Sequence, residues 1–119
     1  MHSKTGTFII VKKTNGTFQF SLRADSGRAI LISNEYSGRE SCEKGIEAVR
    51  KYSQVQQNFQ MVNFTEVDFY FKLQDERGSI LGSSDIYKSK LACKQDIIAV
   101  TALAANAEVD RYALDSITA

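Results

Sequence analysis

Phe18, Phe20 and Leu22 alternate with Gln19, Ser21 and Arg23, a period of two that sets the apolar side chains on one face of a half-buried strand. Asn15-Gly16 precedes this strand. That pair tolerates the positive φ values of a tight hairpin, so a partner strand is expected over about residues 6 to 13. A polar turn ending at Gly27 leads into the apolar run Ala29 to Ser33, which makes a third antiparallel strand. The period then lengthens. Cys42, Ile46 and Val49 stand at i, i+4 and i+7, the single stripe of an amphipathic helix. Ser37 to Glu40 reads Ser-Gly-Arg-Glu, the form of a capping box, and marks the helix start.

The same order recurs at a constant offset of 51 residues. It pairs Phe18 with Phe69, Phe20 with Phe71, Leu22 with Leu73, Gly27 with Gly78, Ser33 with Ser84 and Tyr36 with Tyr87. In the helices it pairs Cys42 with Cys93, Ile46 with Ile97 and Val49 with Val100, and upstream Phe8 with Phe59 and Val11 with Val62. No gap is needed, so the chain is an internal duplication, and this periodicity decides the fold reading. In the second copy the first turn, Asn63 to Asp68, lacks the Asn-Gly pair and is expected to be looser, while Ser89 is the expected N-cap. A last strand is expected over Val109 to Leu114. A chain of 119 residues is one ordinary domain, here 1–119 built of two β-β-β-α(-β) repeats, about 6–57 and 58–115, of α+β class. A unit of about 50 residues buries too little apolar surface to stand alone comfortably, which predicts one shared core.

The aromatic-x-Phe-x-Leu strand, the glycine after a polar turn, the Ser-x-x-Tyr and the helix with Cys-x-x-x-Ile-x-x-Val, given twice between about Gly6 and Leu114, resemble the YegP-like family of small bacterial proteins. The resemblance implies that two units related by pseudo-twofold symmetry share one antiparallel sheet, exchange their last strands and pack their helices on one face. It implies no activity. The chain departs from a strict repeat where Asp96 replaces Gly45 and Thr101 replaces Arg50, and it lacks a proline after each helix. These departures are expected to touch surface detail rather than the fold.

The composition is 43% apolar and 24% charged with no proline or tryptophan, that of a folded soluble chain rather than a disordered one. No apolar run reaches the length of a membrane span, the N-terminus lacks a secretory pattern, and a cytoplasmic location is expected. Residues 1–51 carry nine Lys/Arg against five Asp/Glu, or +4, and residues 52–119 carry six against nine, or −3, which together give the net +1. Such a balance, with Glu66, Asp68, Asp75 and Glu76 flanking Tyr70 and Lys72, argues against nucleic acid as a partner.

The one histidine is His2, near the terminus, which argues against His-based catalysis or a metal site. Cys42 and Cys93 lie on the apolar helix stripes without an activating histidine and are expected to be buried thiols. Tyr36 and Tyr87 are read as packing residues with a polar tip. Ser33 and Ser84 are read as strand-end residues bonded to local backbone. The least bland positions are the helix starts, Ser37, Gly38 and Arg39 in one repeat and Ser89 and Lys90 in the other. There free N–H groups and a basic side chain favour an anion. No catalytic residue, cofactor or metal is indicated. The preferred reading is a small non-enzymatic binding module that engages a protein partner or another copy of itself. The alternative is a small anion- or nucleotide-binding protein using the two helix N-termini.

Overall fold

The computed structural model describes residues 5–110. In chain order the elements are β1 (Gly6–Lys12), β2 (Phe18–Ala24), β3 (Ala29–Ser33), α1 (Arg39–Tyr52), a short 3-10 turn (Gln56–Asn58), β4 (Phe59–Asn63), β5 (Phe69–Gln74), β6 (Ile80–Ser83), α2 (Lys90–Ala104) and β7 (Glu108–Asp110). The strands form one sheet of order β4-β5-β6-β3-β2-β1-β7. Without β7 this order is a palindrome of the repeat offset, with a pseudo-twofold axis between β3 and β6. His2 and most of the strand expected over Val109 to Leu114 lie outside the described residues.

The period-two pattern fixes the register. Phe8 pairs with Leu22 and Ile10 with Phe20, Leu22 with Leu31, and Phe59 with Leu73 and Met61 with Phe71. These positions face the helices, and Phe8, Ile10, Phe20, Leu22, Leu31, Phe71 and Leu73 are fully buried. The helix stripes Cys42, Ile46, Val49 and Cys93, Val100 close the core from the other side. Each helix begins over its own repeat and ends over the other. Gly45 of α1 lies against Tyr36 and Phe20, while at its end the Tyr52 hydroxyl reaches Glu76. Leu103, near the end of α2, packs over Gly6 of β1. The core thus belongs to neither repeat alone.

The turns account for the glycines. Gly27 and Gly78 take φ of 91° and 85° at matching turns, where their N–H groups reach Ala24 and Asp75 carbonyls, a conformation glycine adopts without a Cβ penalty. Gly16 is also left-handed, but no non-glycine residue among the described ones is. Asn15 therefore acts through its side chain instead, its Oδ1 accepting from the Thr17 N–H at 3.0 Å and the Thr17 hydroxyl at 2.7 Å.

Two expectations change. The sheet is mixed rather than antiparallel, because β7 runs parallel to β1 with Val109 beside Phe8. The helix before it ends beside Gly6, and the short link 105–107 can only bring the chain in alongside β1, not round to its far end. Nor is the exchange of last strands reciprocal. The segment after α1 continues as β4, the first strand of the second repeat, so only β7 crosses over.

Candidate interaction surface

The two helix starts are built differently. At α1 the N-cap is Gly38, in extended conformation and with no side-chain cap. The expected capping box of Ser37 and Glu40 does not form, and Ser41 Oγ donates to the Gly38 carbonyl instead. At α2 the expected cap is present, Ser89 Oγ accepting from the Ala92 N–H at 3.0 Å. Arg39 lies 3.4 Å from Glu43, Lys90 is exposed, and Lys88 is paired with Asp68 at 2.5 Å. Tyr36 bridges to Phe18 at the start of β2 and Tyr87 to Phe69 at the start of β5. Since β2 and β5 run in opposite directions, the groups Ser37–Arg39 and Ser89–Lys90 sit at opposite rims of the sheet and do not converge on one ligand.

The departures from repeat symmetry prove structural. Asp96 is buried, 7% exposed, and is held by Arg28 at 2.6 and 3.0 Å in a bidentate pair and by the Tyr87 hydroxyl at 2.5 Å. Arg28 belongs to the β2–β3 turn of the first repeat, so this pair ties the two repeats together. Burial pushes the Asp96 carboxyl up, but the hydrogen bonds from Arg28 and Tyr87 outweigh it and hold the group below its ordinary range. The Tyr87 hydroxyl is pushed up, by burial first and by Asp96 second. In the first repeat Gly45 leaves room for Tyr36, whose hydroxyl would lie 2.2 Å from any added Cβ.

Arg50 and Thr101 form a second tie. Arg50 Nη1 donates to the carbonyls of Ala104 and Ala105 at 3.1 and 3.2 Å, and its guanidinium covers the Phe8 ring at 5.2 Å. Thr101 Oγ1 donates to the Ser53 carbonyl at 3.1 Å. Both departures expected to be surface detail therefore lie where the two repeats meet. The sequence signal for Arg28 was its own departure, Ser79 at the matching position, paired with that of Gly45 and Asp96.

The thiols match expectation. Cys42 and Cys93 are free and buried, and burial pushes Cys42 up to about 11 and Cys93 in the same direction. Ser33 and Ser84 each accept from a strand N–H, of Phe20 and Phe71, and donate to the next carbonyl, of Asn34 and Asp85. Among the described residues no group of three His, Cys, Asp or Glu side chains is placed to hold a metal ion, and no helix is long and apolar enough to cross a membrane.

Away from the helices no element among the described residues covers the sheet. Ile9, Ser21, Ile32, Ser83, Lys72 and Gln60 form one row across six strands on that face. At its second-repeat end, Phe64, Tyr70 and Ile86 line a depression with Ser83 and Ser84, the Phe64 and Tyr70 rings meeting edge to face at 5.8 Å. On the helix side, β4 and α2 border a groove of about 280 Å³ lined by Gln56, Phe59, Met61, Lys94, Ile97 and Ile98.

This two-unit architecture can be set beside known proteins. The family model described as Domain of unknown function (DUF1508) matches twice, over residues 14–59 and 67–110, one match to each repeat. The UPF0339 protein YegP of Escherichia coli K12 is 33% identical over 97 residues, which cover 82% of this chain and 88% of that protein. The chain belongs to the YegP family. A UPF0339 protein of Pseudomonas aeruginosa is 36% identical over 83 residues, 70% of this chain and 76% of its own. The solution structure of E. coli YegP, a protein of unknown function by its own description, superposes with a TM-score of 0.85 at 29% identity, over 94% of this chain and 97% of that one. The UPF0339 protein SO3888 of Shewanella oneidensis gives the same TM-score at 27% identity, over 90% and 91%. The YegP family thus carries the tandem α+β fold derived above.

Proposed function

We propose that the protein is a non-enzymatic interaction module whose second repeat presents the partner-binding surface. One observation carries this reading. Among the described residues the exposed large hydrophobics are Val55, Phe64, Val67, Ile86, Leu91 and Ile98, 47 to 67% exposed, and all but Val55 lie in the second repeat. Shifted back by the repeat offset, the counterparts of those five are Lys13, Gly16, Glu35, Glu40 and Glu47. Four of the five are charged. Scattered apolar residues on a surface are ordinary, but here one copy of a duplicated fold is polar and the other apolar at the same places. The same fold is thereby solvated in one half with charges such as the Lys13–Glu35 pair at 2.8 Å, so folding does not require apolar groups there. The depression that Phe64 and Ile86 share on the open face is an exposed apolar site of the kind that a partner covers.

The test places a photo-crosslinking amino acid at Phe64 in the protein expressed in its native cell. Discrete adducts are expected, and Ile86→Glu, which installs the first repeat's residue, should remove them. Absence of adducts would overturn the reading. The anion-binding alternative predicts instead a melting temperature that rises with phosphate-bearing ligands and loses that response in Arg39→Ala or Lys90→Ala.

A further inference from the structure

The duplication supplies its own comparison for the groove beside β4. In the first repeat the outer edge of β1 is covered by β7, where Val109 pairs with Phe8 on the helix side of the sheet and packs against the core. There Phe8, Ile10 and Ile46 are fully buried. In the second repeat the counterparts Phe59, Met61 and Ile97 are only half-buried. The difference has a definite cause. β4 is the edge of the sheet, nothing among the described residues pairs with its outer side, and the residue equivalent to Arg50, which covers Phe8, is Thr101. Ile98 stands exposed on the groove wall where the first repeat has Glu47.

From this we infer that the groove between β4 and α2 takes an extended peptide segment of a partner protein, added as a parallel strand to β4. Its central residue is a β-branched apolar one, flanked by carboxylates. This deepens the interaction-module reading, on which it rests, by naming the kind of partner. The template is β7 itself, whose sequence is Glu-Val-Asp and whose pairing with β1 fixes the geometry at the equivalent edge. Strand addition satisfies the backbone groups of the edge, and a pocket for every second side chain supplies selectivity. The apolar residue would occupy the place beside Phe59 that Val109 occupies beside Phe8. The flanking carboxylates are matched by charge. Strand alternation turns them to the open face of the sheet, as Asp110 stands beside Ile9, and there Lys72 follows Gln60 in the row where the first repeat carries Ser21.

The probe is a synthetic peptide of residues 105–110, titrated into isotopically labelled protein and followed by amide chemical shifts. Saturable shifts are expected on β4 and the facing side of α2. Ile98→Glu and Lys72→Ser each install the residue that the first repeat already carries, so the fold should persist, while affinity falls by about tenfold or more. A peptide with aspartate in place of its valine should not bind. The inference is overturned by the absence of saturable shifts, by shifts located elsewhere, or by binding that survives Ile98→Glu. It is also overturned if the protein sediments as a dimer that Ile98→Glu dissolves, since the groove would then belong to a second copy. Loss of the peptide result with crosslinks at Phe64 intact would sink this inference alone; loss of both would sink the module reading as well.

Discussion

At the scale of single residues, the most informative positions are those where the two copies disagree. Arg28 and Asp96 stand where a perfect repeat would place Ser79 and Gly45, and together they make a buried, bidentate link between repeats. The pair's cost and benefit can be separated. Asp96 is the buried partner, whereas the Arg28 side chain is 57% exposed and water can solvate it when the carboxylate is lost. Asp96→Asn is therefore expected to cost about 1 to 2 kcal/mol, a hydrogen-bonded charge rather than a stranded one. The double replacement Arg28→Ser with Asp96→Gly, which copies the symmetry-related pair Ser79 and Gly45, should cost less than the sum of its single changes. The pH dependence follows from the direction of the shift. Folding lowers the Asp96 pKa, so its contribution is complete above the ordinary aspartate value of about 4 and fades as pH falls through the lower folded value. Urea midpoints of wild type and Asp96→Asn should differ by a constant amount at neutral pH and converge in acid; a difference that grew on acidification would contradict the assignment.

At the scale of elements, the strands and helices were legible because each carries one period and one punctuation mark. Phe18, Phe20 and Leu22 gave β2, Gly27 and Gly78 gave the positive-φ turns, and Cys42, Ile46 and Val49 gave the buried face of α1. The capping box was misread because Ser-x-x-Glu specifies side-chain chemistry but not the backbone angle at which the chain enters the helix. Here Tyr36, bridged to Phe18, sets that angle and puts Gly38 rather than Ser37 at the cap. The direction of β7 was equally hidden, being set by where α2 ends over the sheet. As for the candidate site, Arg39 and Lys90 could be named from sequence, yet their placement at opposite rims depends on strand order. The β4 groove depends on a missing neighbour, which no local pattern records. The two caps yield a contrast that symmetry alone would forbid. Ser89→Ala should cost about 1 kcal/mol, the usual worth of an N-cap hydrogen bond, whereas Ser37→Ala should leave the thermal midpoint unchanged, because Ser37 caps nothing. Equal losses at both serines would show that the α1 start is capped in solution after all.

At the scale of the whole molecule, the fold explains why the same phrase is written twice. Each helix starts over its own repeat and ends over the other, β3 and β6 join the two halves edge to edge, and the ties from Arg28 to Asp96 and from Arg50 to Ala104 cross the same boundary. Divided there, either half would expose the β3 or β6 edge, lose the far end of its helix support and strand a buried carboxylate or a guanidinium. A unit of about 50 residues has little surplus burial with which to offset such losses. The full chain should therefore unfold in a single transition, with fluorescence and circular dichroism giving the same midpoint. A fragment ending at Gln57, at concentrations where the full chain is folded, should be unfolded or aggregated, or should recover a fold only as a dimer. In such a dimer the second copy supplies the β6-like edge and the crossing helix, and its melting temperature rises with concentration. In that dimer, position 45 is glycine on both sides and Arg28 has no carboxylate to meet, so it should be less stable than the full chain even when saturated with partner. A monomeric fragment that melts cooperatively would refute the shared core, and the repeats would then have to be regarded as two self-sufficient units joined by contact alone.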